Sequence, residues 1–521
     1  MTQPSATHHH DHSIVETLQS LIFAFVLAMA FRGFVLEGFV IPTGSMAPTL
    51  LGEHSTWVGK KTGYTYQVDS GSPALSTNSE FAKRGAEQYD PMLPVDSGED
   101  LRVQPRDLVK KVRPGDRILI VKGLYPFWQP DRFDVVVFKN PVDPLGDKEN
   151  FIKRLVGLPG ETIWLCDGDV FARKGDGGDL AEEFEGFEIQ RKPEHVQRAV
   201  WQPVYSSSYI PLAEPSVQRV QPWLADQAHA GDWTIANQRS YRCETADETT
   251  IYWNNDYRPI DDRTTYNMFS FSARGEEFPV SDVRAAAGIT PDQEGWVTTF
   301  ILAARGYTFE FIIDSESGQA TVRGAADDGS DGFSVTDPIT LPGPGEVINV
   351  EFWHVDQALW MFIDGRRAAY VEYVMQPRDR LLHATDDDND QVLRLPNKPS
   401  SYLEPSVSWR FSGSPITLHR VRLDRDIYYR PTGRGGSAND PARLTDEQFF
   451  MCGDNSPASH DSRGWNDVHP LVAAQIDPDA HVVNRRLLLG KAWLVYFPAT
   501  LPIQEDGRRI VPDFGRMRFI R

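Results

Sequence analysis

A mainly β fold carrying one apolar N-terminal helix is what this sequence predicts, and three observations carry the expectation. Short runs rich in Val, Ile, Phe, Tyr and Trp, bounded by Gly, Pro and Asp, recur from about residue 117 onward. A single long apolar stretch stands near the N-terminus. Nine of the 13 Trp lie between Trp164 and Trp409, so the middle of the chain has the material for a core of its own. The 521 residues are 40% hydrophobic and 24% charged, the balance of a folded chain rather than a disordered one. A net charge of −20 argues against nucleic acid, since phosphate binding needs a basic face. Cys166, Cys243 and Cys452 are too few for a disulfide framework, match no metal-ligand spacing and read as ordinary thiols.

Residues 1–13 form a polar tail; His8, His9, His10 and His12 within it are at best a weak metal site. Residues 14–36 come next. Their uninterrupted apolar run, Leu21 to Phe31, is 11 residues long. With both flanks it reaches roughly the 20 residues that span a bilayer as a helix. Glu16, Gln19 and Arg32 stand near the ends, where polar side chains reach the headgroups. A cleaved signal peptide is a competing reading, because Ala28-Met-Ala30 resembles a cleavage site. It is weakened by the lack of Lys or Arg in the preceding tail. A buried core helix is the other.

Residues 37–165 read as the first part of a β domain, interrupted by a polar segment at 53–113. Strands are expected at 117–122, 134–139, 151–156 and 162–165. Residues 166–440 read as an inserted β-sandwich, with strands at 307–313, 319–323, 346–355, 358–363, 368–372, 407–411 and 416–429. Asp364-Gly365 is a type I′ turn signal. The acidic run 386–390 could hold calcium but reads better as a solvated loop. Residues 441–521 return to the first domain, with a strand at 491–497. Leu359-Trp-Met-Phe-Ile-Asp-Gly365 and Val421-Arg-Leu-Asp-Arg-Asp-Ile-Tyr-Tyr429 give the insert the texture of a concanavalin- or laminin-G-like jelly roll.

Three separated pieces carry chemistry. In Ile41-Pro-Thr-Gly-Ser-Met46, Pro42 and Gly44 bracket a turn that can present the Ser45 hydroxyl. In the apolar strand 151–156, alternation puts Lys153 and Arg154 on opposite faces, with Lys153 beside Phe151 and Leu155. A lysine aimed into an apolar face is desolvated, which lowers its pKa. To act as a base near neutrality it must fall by about 3 units from about 10.4, at a cost of about 4 kcal/mol. The alternative is an edge strand with a solvated Lys. The third piece, Gly453-Asp-Asn-Ser-Pro-Ala-Ser-His-Asp-Ser-Arg463, is dense in short polar residues that build hydrogen-bonded loops. Ser459-His-Asp461 invites a triad reading, but adjacent residues do not readily form a nucleophile–base–orienter chain.

These pieces resemble the signature boxes of type I signal peptidases, in the family's order. Ile41-Pro-Thr-Gly-Ser-Met-Ala-Pro-Thr-Leu50 resembles the nucleophile box, and Gly115-Asp-Arg-Ile-Leu-Ile-Val-Lys122 the next. Phe151-Ile-Lys-Arg-Leu-Val-Gly-Leu-Pro-Gly-Glu161 resembles the general-base box, and Gly453-Asp-Asn with Ser459-x-Asp-Ser-Arg463 the last. The resemblance implies a Ser/Lys serine endopeptidase with Ser45 as nucleophile and Lys153 as base. The Ser45 N–H and the Thr43 hydroxyl would form the oxyanion hole, and Ser459 would hydrogen-bond and orient Lys153. Arg154, Asp454, Asp461 and Arg463 would support the site, and Phe39, Ile41, Met46, Leu50 and Ile152 would bind substrate. No cofactor or metal is implied. The partners implied are exported preproteins with their signal peptides and the lipid bilayer. The place implied is the extracytoplasmic side of the cell (inner) membrane, reached by a single-pass anchor.

Two departures stand out: Thr43 where Ser is common, and Phe133 where a Gly usually precedes Asp134. The inserts have no family counterpart, and the sandwich could take a glycan or protein ligand. A second reading makes the chain a membrane-tethered β-sandwich binding protein on a degenerate protease scaffold. Since nothing in the sandwich looks like a nucleophile–base pair, replacing about 196–430 by a linker is expected to leave the chemistry intact.

Overall fold

The computed structural model describes residues 14–58, 65–69, 112–123, 125, 128–142, 150–175, 185–209, 221–234, 239–263, 277–385, 396–498, 500–502 and 510–521. The histidine tail, most of the 53–113 segment and the acidic run 386–390 lie outside them.

The fold is mostly β with one N-terminal helix, Ile14–Phe34. The helix is apolar around its circumference and leaves its large side chains exposed, Ile22, Phe25 and Phe31 among them. Within it Glu16–Phe34, with a mean hydropathy of 1.6, is long and apolar enough to cross a membrane. Strand Leu36–Val40 follows almost at once.

That strand is the edge of a sheet in which early and late parts of the chain interleave. Its order is Leu36–Val40, Arg117–Lys122, Leu488–Phe497, Val135–Lys139, Asn150–Gly157, Gln448–Cys452 and Val483–Asn484. The register sets Val136 opposite Lys153 and Cys452 opposite Arg154. A smaller sheet of Glu188–Ile189, Asp169–Lys174, Glu161–Cys166 and Ala442–Arg443 stands beside it.

The sandwich consists of an eight-stranded and a seven-stranded sheet. The strands of the first lie between Gln202 and Arg425 and those of the second between Trp223 and Ser412, inside the expected 166–440 span. Val170, Ala172, Val196 and Val200, also inside that span, pack instead with Val156, Ile163 and Phe450 of the flanking segments. The predicted alternation is met: Phe309, Phe311 and Ile313 of Tyr307–Asp314 point inward, and Phe300 stacks on Phe352 with centroids 5.5 Å apart. Asp364 and Gly365 both have positive φ, 47° and 75°, as a type I′ turn requires.

One expected strand is shorter than predicted. The run expected to continue to residue 429 leaves the sheet at Arg425. Beyond it the alternation is between two cores rather than two faces of one sheet. Ile427 and Tyr429 enter the cluster around Val156 and Phe450, while Tyr428 enters the sandwich core. Gln202 pairs with Arg425, so the chain enters and leaves the sandwich at one strand pair.

Where the sandwich meets the small sheet lies a buried ionic cluster. Carboxylate oxygens of Asp169, Asp282, Asp356 and Asp426 lie within 4.8 Å of one another. Cations of the chain occupy the space among them. Lys192 Nζ is 2.5 Å from Asp356 and 2.8 Å from Asp426. Arg380 pairs with Asp169 at 2.6 Å, and Arg305 bridges Asp167 and Asp282 at 2.5 Å each. Buried charges persist in a folded interior only when paired in this way.

Candidate active site

The first strand delivers the chain into a short 3-10 turn, Gly44–Met46. Apolar side chains anchor the turn from below: Ile41, Met46, Leu50 and Ile152 form one cluster with Phe39 packed against it. Asp116 ties the turn to the next strand, accepting from the Leu51 N–H at 2.9 Å and from Arg516 at 3.0 Å. Gly52 sits directly behind the turn, where a Cβ would collide with the Thr43 carbonyl. Met46 and Leu50 are wholly buried and Ile41 is 2% exposed, so these three hold the turn from beneath. Phe39 and Ile152 lie nearer the surface of the same cluster.

Ser45 meets Lys153 on this turn. Lys153 Nζ donates to Ser45 Oγ at 2.5 Å, and both residues are buried. Thr43 Oγ1 is 3.4 Å from Ser45 Oγ. The Lys153 ammonium also stands 5.3 Å from the Phe151 ring. Burial is the largest influence on this amine and lowers its pKa to about 8; Asp461 opposes the fall and Arg463 assists it. No carboxylate is in salt-bridge contact with Lys153 among the described residues.

The loop after Gln448–Cys452 closes the other side. Asn455 grips two consecutive carbonyls of the turn, its N–H on Ser45 O at 3.0 Å and its Nδ2 on Gly44 O at 3.1 Å. The Gly44 carbonyl shares a planar peptide unit with the Ser45 N–H, so fixing the one aims the other. Gly453 leaves no room for a side chain, since a Cβ would run into Ser459 Oγ and the Ser45 carbonyl. Asp454 receives Arg154 through two parallel bonds of 2.7 and 2.6 Å, and Thr49 Oγ1 at 2.5 Å. Asp461 receives Arg463 the same way, at 2.8 and 2.7 Å, plus the Gly453 N–H at 2.9 Å. Burial works against the Asp461 charge, but Arg463 outweighs it and holds the carboxyl below the usual range.

One expectation needs correction. Ser459 does not hydrogen-bond Lys153: among the described residues its Oγ makes no hydrogen bond of good geometry. Its hydroxyl instead neighbours Asp461 and, as a hydrogen-bonding group, helps hold that carboxyl low. The segment that leaves the sandwich reaches the same loop. Arg430, on that segment, donates its N–H to Ser456 Oγ at 2.9 Å, and Ser456 in turn receives Arg463 at 2.6 Å.

Phe133 answers the second departure. It adopts φ +70° without being glycine, a strain of about 1–2 kcal/mol. In that conformation its carbonyl accepts from Arg154 at 2.7 Å while its ring lies 5.8 Å from Lys192 Nζ. Asn455, Thr49 and Asp116 stand inside the quoted boxes without a role of their own, and Ser456 lies between box residues. Asn455 and Ser456 sit inside the polar 453–463 run, and their density of short side chains was the available signal.

Residues 99–205 match the family described as signal peptidase, peptidase S26. The matched stretch contains Lys153 and Arg154 but neither Ser45 nor the 453–463 loop. A signal peptidase I of Rickettsia bellii (strain OSU 85-389) is 25% identical over 169 residues, 32% of this chain and 43% of the relative. Signal peptidase I V of Bacillus subtilis (strain 168) is 34% identical over 85 residues, 16% and 46% of the two chains. The chain thus spans less than half the length of these curated relatives. Among solved structures, carbohydrate binding module CBM66 from Bacillus subtilis aligns with 40% of this chain and 99% of its own. That alignment has 8% identity and a TM-score of 0.24, too low to say what the sandwich binds. The matches support a peptidase of the signal-peptidase kind.

Proposed function

We propose that this protein is a membrane-anchored signal peptidase, a serine endopeptidase that cuts exported preproteins after a small-x-small motif. One observation carries the reading: the hydrogen bond of 2.5 Å between Lys153 Nζ and Ser45 Oγ, inside a site that burial keeps poor in water. An amine is a base only when neutral, and a pKa lowered to about 8 makes the neutral form accessible near physiological pH.

Neutral Lys153 takes the Ser45 proton as Oγ attacks the scissile carbonyl. Negative charge builds on the carbonyl oxygen, where the Ser45 N–H and the Thr43 hydroxyl would receive it. Lys153 then returns the proton to the departing amine. Water, deprotonated by the same lysine, attacks the acyl ester and frees Ser45. The apolar helix Ile14–Phe34 would anchor the chain beside preproteins held in the bilayer, with the site on the extracytoplasmic side.

The test is to incubate detergent-solubilised protein with a preprotein, alongside Ser45→Ala. Cleavage after the signal peptide by the wild type alone is expected, with kcat/KM rising through a pKa of about 8. Equal cleavage by Ser45→Ala would sink the reading.

A further inference from the structure

Arg430 lies on the short segment by which the chain leaves the sandwich, and it touches both sides. Its guanidinium is held by Asp262, Nε to Oδ2 at 2.5 Å and Nη2 to Oδ1 at 3.0 Å. Asp262 is 1% exposed and is fixed in turn by the Phe278 N–H at 2.9 Å. The Arg430 guanidinium also faces the Phe278 ring at 5.7 Å. On its other side the main chain of Arg430 faces the polar loop. Its N–H donates to Ser456 Oγ at 2.9 Å, and its carbonyl accepts from Arg463 Nη1 at 3.4 Å. Ser456 Oγ receives Arg463 Nη1 at 2.6 Å, and the Ser456 carbonyl receives Arg463 Nη2 at 3.0 Å. Arg463 then closes two bonds on Asp461.

We propose that Arg430, pinned by Asp262, is a positioning residue through which the sandwich holds Ser456 and the Arg463–Asp461 pair in place beside Lys153. This role rests on Lys153 being the base, and it makes the sandwich part of the catalytic apparatus rather than an appendage. Its physical content is electrostatic. The groups that face Lys153 are the Ser45 hydroxyl on the turn, Cys452 and Asp454 beside it, and Asp461 and Arg463 on the loop. Asp461 favours the charged amine and Arg463 opposes it. Asp461 holds Nε and Nη2 of Arg463, while Ser456 and the Arg430 carbonyl hold Nη1 and so set the tilt of the guanidinium. Releasing Arg430 lets that guanidinium drift, so the Asp461 charge is felt more fully at Lys153. The amine then becomes harder to deprotonate.

The experiment compares full-length wild type, Arg430→Ala and, as a control for damage elsewhere in the sandwich, Arg242→Ala. Arg242 pairs with Asp292 at 2.7 Å on the sandwich surface. The substrate is a fluorogenic peptide with Ala-x-Ala before the cleaved bond. Arg430→Ala is expected to lower kcat at pH 7 about threefold with KM nearly unchanged, and to move the rising limb of the kcat–pH profile upward by about half a unit. Arg242→Ala should leave both at wild-type values. If Arg430→Ala does not fold, Arg430→Lys and Asp262→Asn, which weaken the pair without emptying the site, are read for the same limb shift. A folded variant of any of these three with the wild-type limb overturns the proposal. A wild type that shows no such limb, or a Ser45→Ala protein that still cleaves, overturns the Ser/Lys reading itself and is a separate outcome.

Discussion

Lys153 and Lys192 are equally removed from water, 4% and 6% exposed, yet their surroundings drive them in opposite directions. Lys153 is desolvated without a carboxylate in contact, so its pKa falls to about 8. Lys192 is desolvated as well, but Asp356 and Asp426 outweigh the burial and push its pKa well above the ordinary value. Burial alone therefore does not make a base. What distinguishes the two sites is where the nearest negative charge sits: in direct contact with Lys192, and at Lys153 turned away toward Arg463. On the proposed function, the chain keeps one lysine as a reagent and the other as a fastener between its parts.

The strongest way to break this comparison is to make the same change at both positions. Lys153→Met should abolish peptide cleavage, by about 10⁴-fold or more, because it removes one member of a unit that works only as a whole. Lys192→Met, assayed at low temperature where it stays folded, should keep kcat within a few-fold of wild type. Comparable losses in both would mean that the two lysines do not divide these roles.

Stability should answer with the opposite pattern. Lys192→Met leaves the buried carboxylates of Asp356 and Asp426 without their partner, a loss of about 3–5 kcal/mol. A denaturant midpoint unchanged at neutral pH would show that the cluster is not a fastener.

Thr43→Val sharpens the Lys153 side without touching the amine. It preserves shape and deletes the hydroxyl, so kcat should fall roughly 100- to 1000-fold with little change in KM, while Thr43→Ser is tolerated. Normal turnover in Thr43→Val would move the oxyanion role to another group.

The smallest effect is the most diagnostic. A folded-state pKa of about 8, against about 10.4 in the unfolded chain, means that the folded protein bears the full penalty of a charged Lys153 below pH 8. The penalty, about 3 kcal/mol, is relieved as pH rises from 8 toward 10.4 and is absent above that. Lys153→Met should therefore be more stable than wild type at pH 6–7, with the gap closing as the pH is raised through this window. A gap that does not depend on pH would mean that the lysine is not held in a lowered state.

The two lysines also differ in how far they could be read from sequence. Lys153 announces itself locally, because Phe151-Ile-Lys-Arg-Leu155 places a cation in an alternating apolar strand, and the strand Asn150–Gly157 is where it was expected. Lys192 sits in Arg191-Lys-Pro193, outside any alternating apolar run. Its partner Asp356 is 164 residues away in a turn between sandwich strands, and no local pattern joins them. The same reason hid Arg430. Alternation from 416 onward reads as one continuous strand, and nothing in the spacing says that after Arg425 the two faces belong to different cores. The Asp364-Gly365 turn was legible because φ preferences act within two residues. Ser459 was misjudged in orientation because the geometry of a loop hydroxyl depends on contacts that only the assembled loop defines.

The pairing of Gln202 with Arg425 has a consequence in time. The sheet beside Lys153 closes only when Leu155 finds Met451, across a loop of roughly 300 residues, and such distant pairings are slow to form. Once the sandwich has folded, its two ends are neighbours and the loop behaves as if only about 70 residues long, which lowers the closure entropy by about 1 kcal/mol. The sandwich can thus be made and folded first during synthesis, serving as a splint on which the later strands find the earlier ones. Ser45 and Lys153 would then come together last, in a protein whose other half is already complete.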